Sequence, residues 1–114
     1  MNDCLFCNII DGKIGAKIVY SDKNILAFED IKPQAPVHLL IITKKHIERV
    51  SEARKDDAIL MGELCLVAAK LAREKGIESS GYRLVINCNK DAGQIVFHLH
   101  MHLLGGRSFN WPPG

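Results

Sequence analysis

Apolar and polar residues alternate strictly near the C-terminus of the chain, where residues 98–104 read HLHMHLL. A β-strand directs successive side chains to opposite faces, so this alternation predicts a strand that begins at about Ile95. On that strand Leu99, Met101 and Leu103 would be buried, and the three histidines would face a cleft together. In an α-helix the same histidines would be spread over about 200° and would share no face.

Four other segments have the short apolar or alternating pattern of β-strands, at residues 16–21, 25–30, 38–43 and 82–87. The first two are separated by Asp-Lys-Asn, which favours a tight turn and therefore an antiparallel hairpin. The hydrophobic pattern thus predicts a sheet of about five strands that are mostly antiparallel.

One long helix is predicted for residues 56–75, where apolar residues such as Leu64, Ala68 and Leu71 recur at helical spacing. A short helical turn is expected at residues 4–12, ended by Gly12. A second stripe of the long helix, including Met61 and Cys65, either widens the core face or serves dimerisation; the sequence leaves both open. The expected fold class is α+β, with a single domain over residues 1–114.

The composition is that of an ordinary globular domain, with 114 residues, 47% of them hydrophobic and 25% charged. The formal charge of +2 is too small, and its cations too dispersed, to favour nucleic-acid binding. No apolar run is long enough for a membrane span, and the first residues do not form a secretory signal. We therefore expect a cytoplasmic protein whose four cysteines are reduced thiols or metal ligands.

Three interpretations compete for the histidine run: ligands of one metal ion, a nucleophile with its helpers, or inert surface residues. At a pKa of about 6.5 an imidazole is mostly neutral at pH 7, and crowded imidazoles disfavour protonation further. A neutral imidazole can attack phosphorus, and backbone amides near Gly93 could hold the phosphoryl oxygens. The residues alone do not decide between metal ligation and nucleophilic catalysis, and the CxxC of Cys4 and Cys7 is a weak signal for metal or redox chemistry.

The run HLHMHLL matches the His-φ-His-φ-His-φ-φ signature of the histidine-triad (HIT) superfamily of nucleotide hydrolases and transferases. The resemblance continues through residues 27–31 (AFEDI), 33–38 (PQAPVH), 81–83 (GYR) and 105–107 (GGR). The ending WPPG resembles the histidine triad nucleotide-binding (HINT) branch. This resemblance implies a HIT-type fold, a homodimer, and hydrolysis of purine nucleoside 5′-phosphoramidates through a covalent nucleotidyl-histidine intermediate.

Site residues are implied by the same resemblance. His100 would be the nucleophile, and His102 and His38 would flank the phosphate and assist protonation of the leaving group. Asp30 would accept a hydrogen bond from the ribose, and Asn87 would orient the phosphate. The other implied nucleotide-binding residues are Leu5, Phe6, Ile9, Phe28, Ile31 and Leu40 around the purine, Gly93, Gln94 and Ile95 at the phosphate, and Trp111, which would reach the active site of a second subunit.

Two positions depart from the HINT pattern. Ile95 stands where relatives usually have a serine that binds the phosphate, which puts catalytic rate or leaving-group preference in question. Cys4 and Cys7 are missing from many HINT proteins, but in other branches such a pair joins two histidines, here His46 and His98, around structural zinc. Three rival functions stay open: a dinucleoside polyphosphate hydrolase, a nucleotide-binding module with little turnover, and a catalytic zinc site on the histidine strand.

Overall fold

The computed structural model describes residues 3–114, and its centre is one five-stranded sheet in which every neighbouring pair is antiparallel. In chain order the elements are α1 (Leu5–Ile10), β1 (Ile18–Ser21), β2 (Ile25–Glu29), β3 (Val37–Thr43), α2 (Ala58–Glu74), β4 (Tyr82–Val85) and β5 (His100–Gly105), with short 3₁₀ turns at residues 50–52, 55–57 and 90–92. The strand order is β1-β2-β3-β5-β4. The predicted α+β fold, with its long helix and short N-terminal helix, is confirmed.

The predicted hairpin between β1 and β2 is present and is closed by a side chain. Asp22 accepts hydrogen bonds from the backbone N–H groups of Asn24 and Ile25, both at 2.8 Å, through the same carboxylate oxygen. This is the Asx-type turn that makes aspartate common at such positions.

The two central strands are buried on both faces. Ile25 of β2 and Leu39 and Ile41 of β3 belong to the cluster beneath α2, which contributes Leu64 and Leu71. The alternate residues of the same strands form a second cluster with α1, made of Phe6, Ile9, Leu26, Phe28, Leu40 and Ile42. Burial of both faces explains why β2 and β3 are nearly continuous apolar runs instead of alternating ones.

The histidine strand is shorter than predicted, because β5 begins at His100 and not at about Ile95. Residues 96–98 form a bend, and the Leu99 N–H donates to the Ile47 carbonyl, at 2.6 Å, outside the strand ladder. His98 therefore lies before the strand, although its side chain is fully buried. The prediction that all three histidines lie on one strand was wrong; the predicted burial of Leu99, Met101 and Leu103 is confirmed.

Two other boundaries differ from the prediction. Strand β4 ends at Val85, two residues early, and α2 begins at Ala58 after the 3₁₀ turn of residues 55–57. The buried carboxylate of Asp57 accepts the backbone N–H of Arg54 at 2.9 Å and an ion-paired hydrogen bond from Lys45 at 2.6 Å. These contacts stabilise the tighter turn at the start of the helix.

The outward side of α2 carries exposed apolar residues. Ile59 and Leu66 are 81% and 72% exposed, and Cys65 is exposed beside them, whereas Met61 contacts the core. Of the predicted second stripe, Met61 therefore widens the core face, whereas Cys65 lies on the exposed side with Ile59 and Leu66, which the prediction did not include. Within the described residues, no helix has both the length and the apolar character needed to cross a membrane.

Two glycines offer opposite tests of the packing. At Gly105, at the end of β5, an added Cβ would lie 3.2 Å from Ile77 Cβ, whereas at Gly62 on α2 it would meet no atom within 4 Å. We expect Gly105→Ala to lower the free energy of unfolding by about 1–3 kcal/mol through overpacking. Gly62→Ala should raise it by about 0.5–1 kcal/mol through helix propensity. Urea unfolding measures both, and equal stability of the two variants would contradict the packing described.

Candidate active site and metal centre

A cavity of about 440 Å³ opens on the α1 side of the sheet. Its size is within the range of small-molecule sites. Apolar side chains form most of its wall, and two histidines of β5 are part of that wall. The residues that line it are Leu5, Phe6, Ile9, Ile14, Gly15, Ala16, Phe28, Glu29, Asp30, Ile31, Lys32, Leu40, Asn87, Gly93, Ile95, Val96, His100 and His102.

Most residues that the resemblance assigned to nucleotide binding line this one cavity. The sequence did not indicate Ile14, Gly15 and Ala16, which belong to the segment between α1 and β1. No sequence motif marks these three residues, because they reach the cavity only through the path that the chain takes between α1 and β1. Lys32 was also missed, although its position between Asp30 and the proline-rich loop was a usable signal.

His100 is held in one tautomer by the backbone. Its Nδ1 lies 2.7 Å from the His98 carbonyl oxygen, which can only accept, so Nδ1 carries the proton of the neutral ring. The lone pair is therefore on Nε2. The ring of Phe6 packs edge-on against the imidazole, with centroids 5.0 Å apart and planes at 88°, and this contact restricts its rotation. His100 is thus a neutral, oriented nitrogen base on the cavity wall.

His38 and His102 form a hydrogen-bonded chain. The backbone N–H of Gln34 donates to His38 Nδ1 at 3.0 Å, so the proton of neutral His38 is on Nε2. That Nε2–H lies 2.9 Å from His102 Nδ1, with Asp30 Oδ2 at 3.4 Å. His102 consequently accepts at Nδ1 and carries its own proton on Nε2. A tautomer set in this way by a backbone partner is a common arrangement for catalytic histidines.

Ligand-type atoms of Asp30, His38 and His102 also lie within 4.8 Å of one another, as a metal site would require. The tautomer of His38 argues against a metal ion there. Its Nε2 is protonated while Nδ1 accepts from Gln34, so coordination through Nε2 would need the imidazolate anion. The cluster is better described as a path of hydrogen bonds.

Burial keeps these rings neutral. Burial, reinforced by the neighbouring His100 and His38, lowers the pKa of His102 to about 4, although the Asp30 carboxylate acts in the opposite direction. Burial likewise lowers the pKa of His38, again opposed by Asp30. Both imidazoles are therefore uncharged at pH 7 and available as hydrogen-bonding partners.

The loop between β4 and β5 contributes Asn87, Gly93, Ile95 and Val96 to the cavity lining. The N–H groups of Gly93 and Gln94 donate to the carbonyls of Lys90 and Asn89, at 2.9 and 3.1 Å, and so close the turn. Among the hydrogen bonds of the described residues none uses the N–H of Ile95. Of the three amides predicted to orient a phosphate, Ile95 N–H is the one left for a ligand, and its side chain is 87% exposed at the cavity rim.

Two predicted binding residues lie outside the cavity lining. The buried side chain of Gln94 donates to the carbonyls of Glu48 and Val96 and accepts from Asn89 N–H, at 2.9, 3.1 and 2.8 Å. The Gln94 side chain therefore stabilises the loop through backbone hydrogen bonds and does not line the cavity. Trp111 is 83% exposed. Nucleotide contacts of these two side chains stay predictions.

A second cluster of possible ligand atoms lies where α1 meets the segments that flank β3 and β5. The sulfur of Cys4 is 3.3 Å from His98 Nδ1, and that of Cys7 is 3.3 Å from His46 Nδ1 and 3.5 Å from His98 Nδ1. The two Nδ1 atoms are 3.1 Å apart. A tetrahedral zinc ion with ordinary bond lengths separates such ligand atoms by roughly 3.3–3.8 Å. The four side chains therefore converge as a metal site requires, and they could hold a metal ion.

The surroundings of this cluster suit metal ligands. His98 Nε2 donates to the Thr43 carbonyl at 2.6 Å, which leaves the Nδ1 lone pair directed at the sulfurs. The backbone N–H of Cys7 donates to the sulfur of Cys4 at 3.4 Å. Outer partners of this kind orient metal-binding side chains in general.

Comparison with known proteins agrees with the fold. The HIT domain family model matches residues 11–109. An uncharacterized HIT-like protein of Synechocystis is 51% identical over 112 residues, covering 98% of this chain and 97% of the relative. The crystal structure of a HIT family hydrolase from Legionella pneumophila is 54% identical, with a TM-score of 0.97 over 98% of this chain and 100% of the other.

A structure named histidine triad nucleotide-binding protein, from Candida albicans, is more distant, at 29% identity. Its TM-score is 0.83 over 96% of this chain and 83% of the other. The chain belongs to the HIT family. Assignment to the HINT branch stays a prediction.

The depressed pKa of His102 predicts a stability that depends on pH. In the unfolded chain His102 has an ordinary pKa near 6.5, so between pH 6.5 and 4 the unfolded state binds more protons and stability falls as pH falls. From about pH 7.5 to pH 5 this group alone should remove about 2 kcal/mol. Urea unfolding of wild type and His102→Asn at the two pH values measures the difference. Equal losses in both proteins would show that His102 does not titrate as described.

Proposed function

We propose that the protein hydrolyses purine nucleoside 5′-phosphoramidates to the nucleoside monophosphate and an amine, through a nucleotidyl-His100 intermediate. The observation that supports this most strongly is the tautomer of His100. Its Nδ1–H donates to the His98 carbonyl, so the Nε2 lone pair is the free end of a buried ring on the cavity wall. That is the requirement for a histidine nucleophile.

In the first step Nε2 of His100 attacks the α-phosphorus and the P–N bond to the leaving amine breaks. The Nε2–H of His102, which faces away from His38, donates a hydrogen bond to the amine nitrogen, and that nitrogen takes up a proton from solvent as it leaves, so His102 stays neutral. Positive charge develops on the imidazole of His100 as the new N–P bond forms. The His98 carbonyl oxygen, 2.7 Å from Nδ1, stabilises that charge without any rearrangement.

In the second step water attacks phosphorus, the P–N bond to His100 breaks, and the nucleoside monophosphate leaves. One proton of the water is released to solvent, which balances the proton taken up by the amine, so both histidines finish as they began. The N–H of Ile95 is the proposed donor to a phosphoryl oxygen. Because Ile95 lacks a hydroxyl, this contact relies on the backbone alone.

The nucleoside would occupy the apolar part of the cavity. Phe6, Phe28 and Leu40 offer a buried surface for a purine ring, and Asp30 lies at the rim, where ribose hydroxyls would reach it. The carboxylate is held in place, because Oδ1 accepts the N–H of Lys32 at 2.7 Å. The expected homodimer belongs to this proposal, supported by the exposed Ile59 and Leu66 on α2 and by the exposed Trp111.

Zinc is proposed as a structural ion held by Cys4, Cys7, His46 and His98. When bound it would cross-link α1, whose Phe6 touches the ring of His100, to the segment that leads into β5. The four ligands are distinct from the three histidines assigned to chemistry. A cross-link of this type stabilises the folded chain and keeps the cavity wall in place.

A second candidate is a nucleotide-binding module with little turnover. The specific observation that favours it is Ile95, whose apolar side chain lines the cavity at the position where the resemblance implies a serine that binds the phosphate. Dinucleoside polyphosphates are the rival substrate class. Comparison of kcat/KM for an adenosine phosphoramidate and for diadenosine polyphosphates separates these functions, because a binding module turns over neither.

Replacement of the nucleophile tests the proposed mechanism. His100→Asn should lower kcat for an adenosine phosphoramidate by at least about 1,000-fold, since no other nitrogen is placed to form the intermediate. AMP binding and circular dichroism serve as controls for the fold. Near-wild-type turnover by this variant would overturn the mechanism.

Elemental analysis tests the metal proposal. The purified, untagged protein should contain one zinc ion per chain, and Cys7→Ser should remove it and lower the melting temperature. Cys65→Ser is the matched control, because Cys65 is exposed on α2 and is not one of the proposed ligands. The zinc content of this variant should equal that of the wild type. Wild-type protein without stoichiometric zinc would contradict the proposal.

A further inference from the structure

Arg107, just after β5, contacts the loop that precedes β3. Its Nε donates to the Gln34 carbonyl oxygen at 2.9 Å, and its Nη1 donates to the Ser108 carbonyl at 2.9 Å. The guanidinium lies over the ring of Phe109, 4.2 Å from the centroid, and Arg83 contacts the same ring at 5.1 Å. The contact with the aromatic face of Phe109 helps to orient the guanidinium, and lysine has no Nε–H that could donate to Gln34 in the same way.

The same loop is held at a second point. Gly106 has φ +88°, and an added Cβ there would lie 2.9 Å from Pro36 Cβ. The chain leaving β5 and the loop of residues 31–36 thus approach each other closely. Arg107 supplies the directional hydrogen bond in this contact, and Gly106 supplies the close fit.

Gln34 connects this contact to the catalytic histidines. Its carbonyl accepts from Arg107, while its N–H donates to His38 Nδ1 at 3.0 Å. His38 Nε2–H then donates to His102 Nδ1 at 2.9 Å. If Gln34 turned away, His38 could move its proton to Nδ1, and His102 would then donate to His38. His102 would lose the N–H that the leaving amine needs.

We propose that Arg107 is a positioning residue, which holds Gln34 so that His38 and His102 both keep the tautomer with the proton on Nε2. Its guanidinium is not among the groups that line the cavity. The catalytic consequence rests on the proposed function, whereas the tautomer of His38 does not.

The test compares wild type, Arg107→Ala and the control Arg73→Ala, whose arginine pairs with Glu78 at the exposed end of α2. Long-range ¹H–¹⁵N spectra of ligand-free protein near pH 7 report which ring nitrogen of each neutral histidine carries the proton. Wild type and Arg73→Ala should show His38 with the proton on Nε2 only, and Arg107→Ala should show a mixture of both tautomers. Its kcat should fall roughly 10- to 100-fold, with KM within about twofold.

A single Nε2–H tautomer of His38 in Arg107→Ala, or an Nδ1–H tautomer in wild type, would overturn the inference. Mixed tautomers with unchanged kcat would also overturn it. If Arg107→Ala does not fold, Arg107→Lys gives the same readouts, because it keeps the charge and loses the Nε donor. If wild type hydrolyses no phosphoramidate, the proposed function fails, and the tautomer comparison still decides the role of Arg107.

Discussion

The antiparallel pairing of β3 with β5 is the constraint on which the site depends. It places Leu40 opposite His102 and Ile42 opposite His100, so that these four side chains share the face of the sheet that turns away from α2. A shift of one residue in the pairing of β5 would move Met101 and Leu103 to the cavity face and would bury the histidines beneath α2. The apolar residues that fill the α2 side therefore specify the register, and with it the direction of the His100 and His102 rings.

Backbone groups then give the equivalent imidazoles different roles. The Thr43 carbonyl orients His98 toward the cysteines, the His98 carbonyl sets the tautomer of His100, and the Gln34 N–H sets that of His38. The orientation or tautomer of each of these three imidazoles is thus set by one main-chain hydrogen-bond partner, because the rings themselves are chemically identical. Low pKa values that result from burial keep the rings neutral, so that these hydrogen bonds persist at neutral pH.

Much of the fold was readable in the sequence, because alternation in residues 99–103 and helical spacing in residues 60–71 reflect burial directly. The strand boundary at His98 was not readable, since the bend there depends on contacts with Thr43 and Ile47 that are distant in the chain. Most residues that the resemblance assigned to the nucleotide do line one cavity, but the resemblance could not show that the side chain of Gln94 turns inward. The resemblance included Arg107 among its matching residues but assigned it no role, because its partner is a main-chain oxygen that no motif identifies.

Intact-protein mass spectrometry after rapid acid quench is the most direct test of covalent catalysis at His100. Wild-type protein mixed with an adenosine phosphoramidate should gain the mass of one adenylyl group within the first turnover, and peptide mapping should place it on His100. The adduct should form with a metal chelator present during the mixing, because no metal takes part in the proposed step. Turnover without any adduct, or an adduct on another residue, would contradict the assignment of His100 as the nucleophile.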